Sequence, residues 1–414
     1  MADLTRRDFV TAGAAGAVAL AAGAGIGASR AAAEGSAPQP IRGDDGAPIL
    51  GPRNEAVERL NPDLVRPPAT DSGTVPNLKF PFDQAHTRIT TGGWAREVTV
   101  RELGAATQLA GVNMRLKPGA IRELHWHKAA EWAFLLEGRV RITAIDPEGR
   151  NFIDDVGKDD IWNFPAGIPH SIQALEEGAE FLLVFDDGNF AENETFLITD
   201  WFAHTPPEVL AKNFGVPVSA FANLPTDVAK TRYIFDAPVP PPLAKDAVRA
   251  PAGRTPISYS HRLSDQKPIK AAGGEVRIVD SSNFPAATTV AGALVDIEPG
   301  GMRELHWHPN KADEWQYYLS GRARMTVFAS GGTARTFDYE AGDAGYVPFP
   351  MGHYIENVGD EPVRFLEMFR SDRFADMSLN QWMALTPPEL VREHLNIDRR
   401  TIAALSKTKP IVVR

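Results

Sequence analysis

Cysteine is absent from all 414 residues. Disulfides, thiolate metal sites and cysteine nucleophiles are therefore excluded, and any metal must be held by imidazole, carboxylate or carbonyl groups. Basic charge is also in deficit, with 43 Lys and Arg against 53 Asp and Glu for a net charge of −10. A nucleic-acid backbone is neutralised by a surplus of basic groups, so no nucleic-acid partner is expected. Long apolar runs are scarce. The uncharged stretch Phe9–Ser29 is only weakly apolar, because fourteen of the nineteen residues from Val10 to Ala28 are Ala or Gly. A membrane span carries Leu, Ile or Phe instead, so no stable membrane anchor is expected. What the chain does have is ordinary globular usage, 43% hydrophobic and 23% charged, in a length that suits two domains.

The amino terminus reads as a targeting segment. Arg6 and Arg7, the small-residue run and Arg30-Ala31-Ala32-Ala33 form a basic flank, a mildly apolar stretch and a small-residue cleavage region. Thr5-Arg6-Arg7-Asp8-Phe9 resembles a twin-arginine signal, the address of proteins exported after folding. Residues 1–33 are therefore expected to be removed, and the mature protein to be periplasmic or secreted.

The remainder is written twice. Arg-Glu-Leu-His-Trp-His stands at 122–127 and again at 303–308, a displacement of 181. Glu131-Trp132 maps onto Glu314-Trp315 and His170 onto His353 at 183, and Trp201 with Thr205-Pro206-Pro207-Glu208 maps onto Trp382 with Thr386-Pro387-Pro388-Glu389 at 181 again. So long a period marks a duplicated domain and not a solenoid repeat. The expected organisation is a first domain with an amino-terminal arm over 34–235, a proline-rich linker over 236–256 and a second domain over 257–414. The linker holds six prolines, which favour extended chain. Within each copy, short apolar runs such as Gly111–Leu116, Trp132–Leu136, Val140–Ile145 and Phe181–Phe185 are separated by turn residues. They predict an all-β antiparallel sandwich or barrel. The Thr-Pro-Pro-Glu tails predict a small helical appendix to each, with proline in the first turn after a threonine cap.

Six of the ten histidines fall in one repeated pattern. Residues two apart on a strand share a face, so His125 and His127 project together, with Trp126 behind them. Glu131 follows within reach of a tight turn, and His170 comes from a later strand. The second copy repeats the set as His306, His308, Glu314 and His353. A lone His-x-His is more often a polar pair on a strand. Two complete sets of three imidazoles and a carboxylate, kept while neighbouring sequence diverges, point to two divalent metal sites with open coordination positions.

These residues carry a family resemblance. Gly119, His125-x-His127, Glu131 and Gly138 resemble the first cupin motif, and Gly342, Pro348, His353 and Asn357 the second; in the first copy Asp159 and Ala174 stand where Gly and Asn are usual. With the repeated hexapeptide, the Thr-Pro-Pro-Glu tails and Glu314-Trp315-Gln316-Tyr317-Tyr318, the chain resembles the bicupin oxalate decarboxylases from about Leu50 to Leu405. The resemblance implies tandem cupin β-barrels, two manganese ions per chain, dioxygen as co-catalyst, oxalate as substrate with formate and carbon dioxide as products, and a homo-oligomer. It places Arg122 and Arg303 in the sites as partners of the substrate carboxylates. Ala191-Glu192-Asn193-Glu194-Thr195 resembles the family's lid, which makes Glu192 the catalytic proton donor. Glu367, standing where the first copy has Leu183, is a second acid or a structural charge. The alternatives are an oxalate oxidase releasing hydrogen peroxide, and a non-catalytic storage bicupin.

Overall fold

The computed structural model describes residues 49–225 and 232–414. Residues 1–33, read from sequence as a targeting segment, lie outside them. Two antiparallel β-barrels are built from the two copies, with two short helices directly following the first and three following the second among the described residues. No helix among the described residues is long and apolar enough to cross a membrane.

The first barrel is organised by two unusually long strands, Glu131–Ile145 and His170–Phe185, which pair along most of their length. The turn signal at Glu137-Gly138 makes no loop here. Register shifts at Leu135/Glu137 and Gly138/Val140 absorb it as bulges, and Gly138 takes a left-handed φ of 78° where a β-carbon would strike the Gly178 carbonyl. Bending at these points lets one strand serve both faces of the barrel. In the second barrel the equivalent Gly321 ends Glu314–Ser320 before Arg322–Ala329 begins.

The strands Ala110–Leu116 and Ala291–Ile297 are buried at six of their seven positions. Alternation is lost because one face lines a barrel and the other meets the neighbouring barrel. A β-carbon on Gly111 would lie 2.4 Å from the Trp315 ring, and one on Gly292 would lie 3.2 Å from the Trp132 ring. Each barrel therefore seats its motif tryptophan on the other barrel's glycine, and one apolar core runs through both.

The two halves also exchange segments. Lys79–Pro81 pairs with Asp343–Val347 of the second barrel, although the chain reaches it before the first barrel. Ser260–His261, at the start of the second copy, pairs with Ile161–Phe164 of the first. The proline-rich stretch straps the first barrel: Arg141 Nη1 donates to the Pro241 carbonyl at 2.7 Å, and Gln173 Nε2 to the Pro238 carbonyl at 3.0 Å.

The helical tails correct one detail. Helix Pro207–Phe214 is entered from Pro206 and Pro388–Leu395 from Pro387, with proline in the first turn but no side-chain cap. Thr205 and Thr386 instead donate to the carbonyls of Trp201 and Trp382, closing the preceding helices Ile198–Ala203 and Leu379–Ala384.

Candidate metal centres and active site

His125 lies on Ile121–Trp126, and Glu131 opens the next strand. Trp126 points outward, stacked on Phe196 at 5.4 Å, while His125 and His127 turn into the barrel. His170 sits opposite His125 in the strand register. In a regular strand, Arg122 would lie on the other face, three residues from His125. The register shifts between them, since Arg122 faces Ile172 and His125 faces His170, and this bulge turns Arg122 inward. Arg303 and His306 repeat the device. Both arginines are buried.

In each set, one candidate ligand atom from every member lies within 4.8 Å of all the others. The Nδ1 atoms of the six histidines each approach a backbone carbonyl at 2.5–3.1 Å. A carbonyl only accepts, so Nδ1 carries the proton and the Nε2 lone pair is free. Nε2 of His170, His306, His308 and His353, with Glu314 Oε2, lacks any hydrogen bond although buried. His308 and His353 Nε2 stand 2.9 and 2.8 Å from Glu314 Oε2. Converging orphaned lone pairs beside a buried carboxylate are what a divalent cation satisfies.

The electrostatics agree. Burial depresses His125, His170 and His306, which keeps them neutral donors. Burial acts to raise Glu131, but His127 and His170 outweigh it and hold the carboxyl low and ionised. Its other oxygen accepts from Trp162 Nε1 at 2.9 Å, as Glu314 accepts from Gln316 Nε2 at 2.7 Å. The two extra residues between His308 and Glu314 are taken up by Asn310 and Lys311, both in left-handed conformation at φ 66° and 60°.

Beside the first set, Arg122 Nη2 donates to Glu192 Oε2 at 3.1 Å, with its guanidinium 4.1 Å above the Tyr233 ring. Glu192 opens the turn Glu192–Glu194, and its amide donates to Glu97 at 3.2 Å. A cavity of about 200 Å³, lined by His86, Arg88, Arg96, Glu97, Glu192 and Tyr233, reaches the Glu192 side of this pair. Beside the second set, Arg303 donates to Glu367 at 3.1 Å and to Asp376 at 2.5 Å. Burial raises Glu367 to about 7 against the opposing pull of Arg303. Leu183, at the matching place in the first barrel, is buried among apolar groups.

A cupin family model matches residues 81–220 and again 261–403. The oxalate decarboxylase OxdC of Bacillus subtilis is 60% identical over 377 residues, covering 91% of this chain and 97% of its own. A probable oxalate decarboxylase of Arthroderma benhamiae is 42% identical over 382 residues, covering 91% and 93%. The chain belongs to the bicupin oxalate decarboxylase family. A solved structure of the Bacillus subtilis enzyme, described with Mn(II) centres, superposes at a TM-score of 0.88 with 59% identity, over 91% of this chain and 99% of that one.

Several residues of this bicupin's pockets escape a reading of sequence. Tyr233 and Glu97 carry no motif and arrive through strand pairing. Asp376 had a signal, since Phe374-Ala375-Asp376 echoes Phe190-Ala191-Glu192. The departures from the second motif are also accommodated. Asp159 adopts the glycine-like φ of 64°, and the Leu116 carbonyl, the counterpart of the Ile297 carbonyl to which Asn357 donates in the other copy, accepts from Arg115 Nη1 at 2.5 Å instead.

Proposed function

We propose that this bicupin converts oxalate to formate and carbon dioxide at its first metal site, with manganese at both sites. The observation that carries this reading is the buried Arg122–Glu192 pair beside the His125, His127, Glu131 and His170 set. Manganese held by those four residues would supply a redox-active Lewis acid for a substrate carboxylate, with dioxygen as co-catalyst. Arg122 then pairs with the substrate's second carboxylate, a role suited to a planar fork of donors. Displaced from Arg122, Glu192 in its protonated form is free to act as general acid. The carbon–carbon bond breaks, one half leaves as carbon dioxide, and the Glu192 proton forms the carbon–hydrogen bond of formate. Water in the adjoining cavity restores that proton, so the dianion takes up one proton per turnover. The closed segment around Glu192 keeps bulk water from the reacting carbon.

Metal analysis followed by incubation with oxalate at mildly acidic pH, quantifying formate against hydrogen peroxide, tests the reading. Formate as main product is expected. Peroxide as main product means an oxidase, and two bound ions without turnover mean a storage protein.

Export in the folded state and assembly into a homo-oligomer are part of the same proposal. The first is supported by the twin-arginine pattern. The second is supported by apolar side chains exposed on the helical appendices, among them Trp201, Phe214, Trp382 and Leu395. Fractionation of the native host and light scattering of the purified protein check them.

A further inference from the structure

The second pocket holds a shortened counterpart of the Glu192 segment. In the first copy, Phe190-Ala191 is followed by Glu192-Asn193-Glu194-Thr195 before Phe196 and Leu197 pair with Trp126 and His125. In the second, Phe374-Ala375 is followed by Asp376 alone before Met377 and Ser378 pair with Trp307 and His306. The anchors match, and the second segment is three residues shorter between them.

That segment is fastened at both Asp376 carboxylate oxygens and at the Ala375 and Asp376 carbonyls. Arg303 Nη2 donates to Asp376 Oδ2 at 2.5 Å. Lys409 Nζ donates to Asp376 Oδ1 and, at 2.8 Å, to the Asp376 carbonyl. The Ala375 carbonyl accepts from His308 Nδ1 at 2.9 Å, so this segment itself orients a metal ligand. In the first barrel, the orienting carbonyl for His127 is that of Ala129, outside the Glu192 segment. Glu192 can therefore move without releasing a ligand, and no lysine contacts it among the described residues. Lys409 belongs to the carboxy-terminal segment, where the Ile411 carbonyl accepts from Glu304 N at 3.0 Å just as the Tyr233 carbonyl accepts from Glu123 N at 3.0 Å. Aligned on that match, the first copy carries Thr231 where the second has Lys409.

We propose that Lys409 bolts Phe374-Ala375-Asp376 shut against Arg303, making the segment a fixed part of the second metal site instead of a moving lid. Lys409 is thus a positioning residue. It keeps His308 oriented through Ala375, and it denies the second pocket the motion that turnover at the first one uses. The inference rests on the reading of Ala191–Thr195 as the mobile lid of the first site.

Hydrogen exchange on the manganese-loaded full-length enzyme tests it. Peptides over 373–378 should exchange at least about tenfold more slowly than those over 190–196. Lys409→Gln should raise exchange over 373–378 and speed loss of one of the two ions to a chelator by about tenfold, whereas Lys409→Arg should preserve both. Equal exchange of the two segments in the unaltered enzyme, or a Lys409→Gln protein that keeps full protection and metal retention, overturns the proposal. Should Lys409→Gln not fold, the comparison within the unaltered enzyme decides. Protection over 190–196 unaffected by oxalate would instead sink the lid reading of Glu192, leaving the Lys409 result to stand or fall separately.

Discussion

On the proposed mechanism Glu192 and Arg122 do different work at the first site, and substitutions separate them. Replacing Glu192 with alanine removes the proposed proton donor but none of the four residues of the metal set. Formate production should fall by about 100-fold or more, with two ions per chain still found by metal analysis. Arg122→Lys keeps the charge but loses the planar fork, so KM for oxalate should rise by about tenfold, measured in steady-state assays. Both residues were legible in the sequence, Glu192 through the lid resemblance and Arg122 through the repeated hexapeptide. Their meeting was not. Regular strand geometry puts Arg122 on the wrong face, and only the bulge between Arg122 and His125 brings it inside. Tyr233, which stacks under that guanidinium, left no trace at all because it arrives from just ahead of the strand Ile234–Phe235, over a hundred residues later.

At the scale of elements, the packing of strand on strand sets sharp tolerances. Gly111→Ala would place a β-carbon 2.4 Å from Trp315, while Gly292→Ala would place one 3.2 Å from Trp132. The first substitution has to displace a buried tryptophan between the barrels and should cost about 1–3 kcal/mol by chemical denaturation. The second should cost clearly less, because a shift of a few tenths of an ångström relieves it. Strand existence was readable from apolar runs and turn residues, whereas strand length was not. Glu137-Gly138 signals a turn by composition, yet the backbone bends through it and continues, since a barrel needs its long strands to curve.

At the scale of the whole molecule, the exchanged arm holds the halves together while each barrel carries a metal set of its own. Each metal set leaves buried lone pairs unsatisfied without its ion, so chelation should lower the melting temperature and manganese should restore it, read by calorimetry. The arm gives a pH signature. Asp63 is buried against Asp338 on the second barrel, and burial, reinforced by that carboxyl, lifts it to about 7. Between its ordinary value near 3.8 and about 7, the folded state holds a proton that the unfolded state lacks. This group's contribution therefore weakens stability as pH rises through that window. Asp63→Asn should remove the slope, and the melting temperature of the variant relative to the parent should climb between pH 4 and pH 7.

By itself the sequence determined the duplication, the β class and both ligand sets, because a repeat is a property of order along the chain, and ligand spacing follows strand periodicity. Tertiary structure alone decided which barrel receives which arm, how the two tryptophans interlock with glycines, and that Arg122 and Glu192 meet while Arg303 is held by Glu367 and Asp376. Those outcomes depend on bulges, chain crossings and the length of one segment. Local composition does not encode them, because each is settled by contacts between residues far apart in the chain.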